Sequence, residues 1–138
     1  MRQHVLLDSN VIVDYVLQRP GFVENANRIF EIIEARTLVG YISSSAVTDV
    51  YYIVERKMTR DYAWETIEYV YQTLRIMPVI RETIRNALDT GMADFEDAVQ
   101  AAAAQDCGID IVITRDKSGF LDSGLNVYSP EEFLETMK

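Results

Sequence analysis

With 138 residues, 49% of them apolar and 25% charged, the chain can close one hydrophobic core and is too apolar for disorder. Its 13 basic and 22 acidic residues leave a net charge of −9, which excludes a protein that holds nucleic acid through a broad basic surface. Nucleic acid is not excluded as a substrate, because cations gathered by converging carboxylates reverse the local field where a phosphate docks. No apolar run reaches a membrane span and no basic segment with a cleavage site opens the chain. A single soluble, cytoplasmic domain over 1–138 without membrane contact is therefore expected. Cys107, the one cysteine, cannot form an internal disulfide and reads as a buried small apolar residue.

Val5-Leu6-Leu7 reads as a buried first strand that ends at Asp8-Ser9-Asn10, and His4 before it reads as structural. Val11 to Leu17 has helical spacing, broken by Arg19-Pro20-Gly21. A second helix presents Phe22, Ala26, Ile29, Phe30 and Ile33 inward, and Thr37 to Ile42 reads as a second strand. Ser43, Ser44 and Ser45 are N-cap candidates for a helix from Ala46 to Lys57, whose apolar stripe of Ala46, Val50, Ile53 and Val54 is bordered by Asp49. Arg60 to Leu74 is a further helix, rich in tyrosine between Tyr62 and Tyr71, and suited to a partner-facing surface. Arg75 to Ile80 reads as a strand that Pro78 places at an edge, and Arg81 to Thr90 as a short helix.

From Asp94 the sequence predicts a helix stopped at Gly108, with Phe95, Ala98, Val99 and Ala102 in one apolar stripe. Asp94 and Asp97, three apart, border that stripe on one side, and Glu96 faces elsewhere. Ile109 to Thr114 is the strongest strand signal and leads into Arg115-Asp116. Lys117 to Phe120 is a polar turn, and Leu125 to Tyr128 a last strand. Ser129, Pro130 and Glu132 spell the start of a C-terminal helix. Strands alternating with helices call for an α/β fold, with a mainly parallel sheet covered on both faces.

In such a fold ligands gather at the carboxyl edge of the sheet. Asp8 and Asp116 follow strands that end there, and the helices carrying Asp94, Asp97 and Asp49 begin there. Carboxylates so close repel by several kcal/mol, on the order expected in a partly dry cleft, unless a cation offsets them. An oxygen-only set without a His or Cys cluster selects Mg²⁺ or Mn²⁺ over zinc, and such sites serve phosphate chemistry. With one histidine, a two-histidine, metal-free ribonuclease mechanism is unavailable to a single chain.

The order Asp8-Ser9-Asn10, Asp94-Phe95-Glu96-Asp97-Ala98 before an alanine-rich helix, and Ile113-Thr114-Arg115-Asp116 with Phe120 resembles the PIN-domain family over essentially the whole chain. The resemblance implies a three-layer α/β/α sandwich around a parallel sheet. It also implies a Mg²⁺- or Mn²⁺-dependent endoribonuclease, often a VapC-type toxin with an antitoxin partner and a homodimeric assembly. Asp8, Asp97 and Asp116 match the family's first, third and fourth acids. The second is commonly a glutamate; Asp49 takes that role here, while Tyr51 stands where the glutamate is expected. Asp94 is an extra carboxylate within reach of the same cation, and Ser9, Asn10 and Thr114 are placed to hold a ligand or a water. Arg115 and Lys117 flank Asp116, more plainly as solvated charges than as contacts to an RNA backbone.

Three alternatives stay open. A haloacid-dehalogenase-type enzyme needs a second Asp where Asn10 stands; a PIN-fold DNA nuclease would use the same acids; and a non-catalytic module would offer its acids to a basic partner.

Overall fold

The structure is a computed structural model that describes residues 2–138. In chain order it comprises β1 (Gln3–Leu7), α1 (Ser9–Val16), α2 (Val23–Glu34), β2 (Leu38–Ser43), α3 (Ser44–Lys57), α4 (Arg60–Thr73) and β3 (Arg75–Met77). There follow α5 (Arg81–Leu88), α6 (Phe95–Asp106), β4 (Ile111–Ile113), a 3-10 turn (Lys117–Phe120), β5 (Asn126–Tyr128) and α7 (Pro130–Thr136). All four strand pairings are parallel, in the order β3-β2-β1-β4-β5. The expected mainly parallel sheet is thus wholly parallel, and β3 lies at its edge as Pro78 predicts.

Alternation along the strands divides the core into two layers. Val5, Leu7, Leu38, Ile42 and Ile113 pack with the apolar faces of α1, α2, α3, α4 and α7. Leu6, Met77 and Val112 face the other way, against Ala103 and Ala104 of α6 and Phe120. The result is an α/β/α sandwich. Val5, Leu6 and Leu7 are fully buried, each contributing about 1.5–3 kcal/mol of hydrophobic stabilisation. Gly40 in β2 has a steric reason: an added Cβ would lie 2.8 Å from both Ile33 and Leu74, where α2 and α4 cover the sheet.

The start of α7 and the end of α6 follow their sequence signals closely. Ser129 and Glu132 form the reciprocal capping box, with Glu132 N–H donating to Ser129 Oγ (3.1 Å) and Ser129 N–H to Glu132 Oε1 (2.9 Å). At the end of α6, Gly108 adopts φ +72°, its N–H bonds to Gln105 O (3.1 Å) and that of Ile109 to Ala104 O (2.8 Å). These are the two bonds of a Schellman stop. They explain why β4 is shorter than the apolar run that predicts it: Ile109 closes the helix and cannot join the ladder. Cys107, expected to be buried, is exposed at the C-cap of the same turn, just past the packed alanines. Ser43 occupies the N-cap position of α3, but its hydroxyl lies against Ser45 Oγ (2.9 Å) and makes no cap bond. No helix among the described residues is long and apolar enough to cross a membrane.

The alanines of α6 let its backbone lie close to the sheet. Ala103, fully buried against Leu6, Val112 and Phe120, has no room for growth. Ala103→Leu is expected to destabilise the fold by about 1–3 kcal/mol, read as a lowered urea midpoint at unchanged m-value.

Candidate active site

The chain leaves β1 outward through β2 to β3, then returns to the other flank of β1 for β4 and β5. The reversal opens a crevice above the carboxyl ends of β1 and β4, the place where open α/β sheets bind ligands. Asp8 stands at its centre, only 6% exposed. Its Oδ1 accepts from Ser9 N–H (2.8 Å) and Gln100 Nε2 (3.4 Å); its Oδ2 accepts from Thr114 Oγ1 (2.7 Å) and Asn10 Nδ2 (3.2 Å). The buried charge is tolerated because donors from α1, α6 and the end of β4 surround it.

Three further acids meet beside it. Asp94 is the N-cap of α6 and accepts from Asp97 N–H (2.9 Å). Asp116 is held by its own N–H to Thr114 Oγ1 (2.9 Å) and by Ser118 Oγ, which donates to its Oδ1 (2.8 Å). Gly119 shows how close Asp97 and Asp116 come: a Cβ built there would lie 2.7 Å from Asp97 Oδ2 and 3.1 Å from Asp116 Oδ2. Desolvation, followed by the charges of Asp8, Asp94 and Asp116, pushes the Asp97 carboxyl up to about 7. Asp8, Asp94, Asp97 and Asp116 thus converge as the topology predicts.

Asp49 arrives differently. It is half-buried in the second turn of α3, and its neighbour is Glu96. Partial desolvation, a hydrogen bond with Asp49, and the charges of Asp49, Asp94 and Asp97 raise the Glu96 carboxyl to about 7. Glu96 is therefore no bystander; it faces α3 and connects Asp49 to the other acids. Phe95, expected in the buried stripe, is 54% exposed, because the packed face of α6 begins at Ala98.

Among the described residues, no three His, Cys, Asp or Glu side chains are close enough to cage a metal ion as they stand. The donor chemistry nevertheless fits Mg²⁺ or Mn²⁺, since Mg²⁺ keeps several waters and takes only one or two carboxylates directly. Gln100 supports the fit. It is fully buried, with Nε2 on Asp8 and Oε1 without a hydrogen-bond partner.

The cations beside Asp116 are engaged elsewhere. Arg115 Nε and Nη2 donate to Asp14 Oδ2 (2.6 Å) and Oδ1 (3.2 Å), and its guanidinium lies 3.9 Å from the Phe22 ring centroid. Lys117 Nζ reaches both carboxylate oxygens of Glu132 at 2.9 Å. Arg115 is thus exposed in part, but its guanidinium is engaged by Asp14. Asp14 and Gln100 escaped the sequence reading. Their signal was a polar side chain inside an apolar helical run, Val11 to Leu17 for one and Val99 to Ala104 for the other, which burial forces to find partners. His4 is structural as expected, with Nδ1 2.7 Å from the Tyr41 hydroxyl.

A family model described as "PIN domain" matches residues 4–118. Ribonuclease VapC1 of Aquifex aeolicus (strain VF5) is 29% identical over 138 residues, covering 96% of this chain and 94% of that protein. Among solved structures, VapBC2 from Rickettsia felis bound to a promoter DNA fragment superposes with TM-score 0.73 at 13% identity, covering 92% of this chain and 98% of the other. A toxin–antitoxin complex from Klebsiella pneumoniae gives TM-score 0.67 at 18% identity, covering 91% and 97%.

The raised carboxyls carry a stability signature. Folded, Asp97 and Glu96 hold protons that the unfolded chain has already released, so their stabilising contribution is complete below about pH 4 and is lost as pH rises through about 7. In EDTA, urea unfolding of the wild type is expected to lose more stability between pH 4.5 and 7.5 than that of Asp97→Asn, on the order of the pKa values concerned. The variant should be at least as stable as the wild type at the upper end. A steeper loss in the variant would contradict the electrostatic account.

Proposed function

Because the chain belongs to the PIN-domain family, we propose that it is a VapC-like endoribonuclease that hydrolyses RNA phosphodiester bonds with Mg²⁺ or Mn²⁺. The observation that carries the reading is Asp97, desolvated and flanked by Asp8, Asp94 and Asp116 at the switch point of a parallel sheet. The resemblance to a protein named Ribonuclease VapC1 over nearly the whole chain supports RNA as the substrate.

Asp8, Asp97 and Asp116 would hold the principal cation, with Asp94 and Asp49 completing or extending the set. When bound, the cation supplies positive charge to the phosphate oxygens and lowers the pKa of a nearby water. The protein's own contribution is placement. Thr114 Oγ1 donates to Asp8 and accepts from the Asp116 N–H, so a single hydroxyl couples the acids that follow β1 and β4. Gly119 keeps open the space beside Asp97 and Asp116 that any side chain would fill. In the reaction, water attacks phosphorus and the bond to the 3′ oxygen breaks, leaving a 5′-phosphate and a 3′-hydroxyl.

Toxin–antitoxin complexes among proteins of this fold support a protein partner, which would place the activity in the cytoplasm under an antitoxin's control. A homodimer is part of the same proposal. Trp64 and Tyr71 on α4, 60% and 71% exposed, are large apolar surfaces for such contacts.

The direct test incubates purified protein with structured and single-stranded RNA, and with single-stranded DNA, in Mg²⁺, Mn²⁺ or EDTA. Metal-dependent RNA cleavage is expected, reduced at least roughly 100-fold in Asp8→Asn and in Asp97→Asn. Cleavage that survives EDTA or both substitutions would overturn the metal-nuclease reading. Cleavage of DNA alone would favour the DNA nuclease, and no cleavage at all the interaction module. Growth arrest on expression, relieved by the same substitutions, tests the toxin role. Gly119→Ala offers a finer check: its Cβ collides with Asp97, so activity should fall far more than the melting temperature.

A further inference from the structure

Asp14 lies in the second turn of α1 and is 1% exposed, yet two guanidinium groups reach it. They are unequal. Arg19, five residues away, makes a single 3.4 Å contact. Arg115, 101 residues away, makes the forked contact at 2.6 and 3.2 Å, the geometry in which a guanidinium and a carboxylate fix each other's orientation. A buried carboxylate needs one good partner; this one takes its better partner from the segment that carries Asp116.

The other bonds of that segment are short-range or at the surface: Asp116 is bonded to Thr114 and Ser118 beside it, and Lys117 to the exposed Glu132. Arg115 and Asp116 lie beyond the last ladder residue of β4, and both are exposed overall. The backbone N–H of Arg115 donates to Asn10 Oδ1 (3.4 Å), and Asn10 Nδ2 in turn reaches Asp8. Arg115 is therefore tied to α1 twice, by its side chain at Asp14 and by its backbone at Asn10. Phe22 covers the guanidinium at 3.9 Å and fixes its plane.

We propose that Asp14 is a positioning residue: through the forked ion pair with Arg115 it sets where Asp116 stands relative to Asp97. The role rests on the nuclease reading for its consequence in catalysis, but the ordering of the segment is a property of the protein alone. On this view Arg115 serves the site by holding its neighbour and not by gripping RNA. A structural role only, with Asp14 stabilising the end of α1 through Arg19, makes a different set of predictions.

The test compares Asp14→Asn, Arg115→Lys and Arg19→Ala in the full chain with three readouts. The first is amide hydrogen exchange over residues 115–119. The second is Mn²⁺ affinity of the free protein by calorimetry. The third is the KM-against-kcat split for RNA cleavage, together with the salt dependence of RNA binding in EDTA. Asp14→Asn and Arg115→Lys are expected to raise exchange over 115–119 while leaving that of β1 unchanged. They should weaken Mn²⁺ binding and kcat by roughly 10–100-fold, with KM and the salt slope unaltered. Arg19→Ala should leave all of these near wild type. Unchanged exchange over 115–119 in both variants would overturn the proposal, as would a raised KM with unchanged kcat and Mn²⁺ affinity in Arg115→Lys, the latter marking Arg115 as a substrate contact. If Asp14→Asn fails to fold, Arg115→Lys decides by the same readouts. A wild type that neither binds Mn²⁺ nor cleaves RNA would sink the nuclease reading, and exchange would still report whether Asp14 orders the segment.

Discussion

Burying the Asp8 carboxylate is the constraint around which the site is built. At 6% exposure it needs hydrogen-bond donors on both oxygens, and they come from three stretches of chain: Ser9 and Asn10, Gln100, and Thr114. Those donors are available only if β4 lies beside β1 in register and α6 lies close against the sheet. The pairing Leu6 with Val112 and Leu7 with Ile113, extended by Asp8 N–H to Ile113 O at 3.0 Å, brings Thr114 to Asp8. The alanines of α6 bring Gln100 there. A one-residue slip of β4 would reverse the faces of Val112 and Ile113 and also take Thr114 away from Asp8, so packing and chemistry enforce the same register.

The remaining acids are tolerated on different terms. Asp94 sits where a carboxylate is favourable, capping α6 and facing the positive end of its dipole. Asp97, also in the first turn of α6, is opposed by more. It is desolvated between three like charges, and its carboxyl rises to about 7 as a result. Strain of this kind is stored at a site and balanced by the rest of the fold, here by a core that buries all of Val5 to Leu7 and Ala101 to Ala104. The distribution is informative: acids that serve the fold are paired, as Asp14 is with Arg115 or Glu132 with Lys117, while those at the switch point face one another.

Most of this architecture was legible in the sequence because it depends on period and order. Alternation of helices and strands implies a parallel sheet, and a parallel sheet sends Asp8, Asp116 and the start of α6 to one edge. What was not legible depends on where side chains point after the helices pack. Wheel positions placed Phe95 inside and Glu96 outside, but the contact face of α6 is set by α5, the sheet and α3. Phe95 is left to solvent and Glu96 against Asp49. Cys107 was read as buried from its chemistry, whereas the Schellman turn at Gly108 carries it outward. Arg115 and Lys117 are exposed as read, but their ion pairs with Asp14 and Glu132 were not legible, because the partners are 101 and 15 residues away and neither separation leaves a periodic trace.

These pairings bear on how a polyanion could approach at all. The chain carries a net charge of −9, and the two cations adjoining Asp116 are neutralised internally. The side chains that converge on the crevice are acids, and the two cations beside Asp116 each already have a carboxylate partner. In a nuclease that grips its substrate with basic side chains, affinity and catalysis can be separated, since phosphate contacts position the nucleic acid while other groups act on it. Here the proposed divalent cation would supply, at the crevice itself, positive charge that the converging acids do not. On that proposal the carboxylates would need to be numerous more than closely caged, since Mg²⁺ takes only one or two carboxylates directly and keeps several waters. That reading reconciles four converging acids with the absence, among the described residues, of a ready-made metal cage.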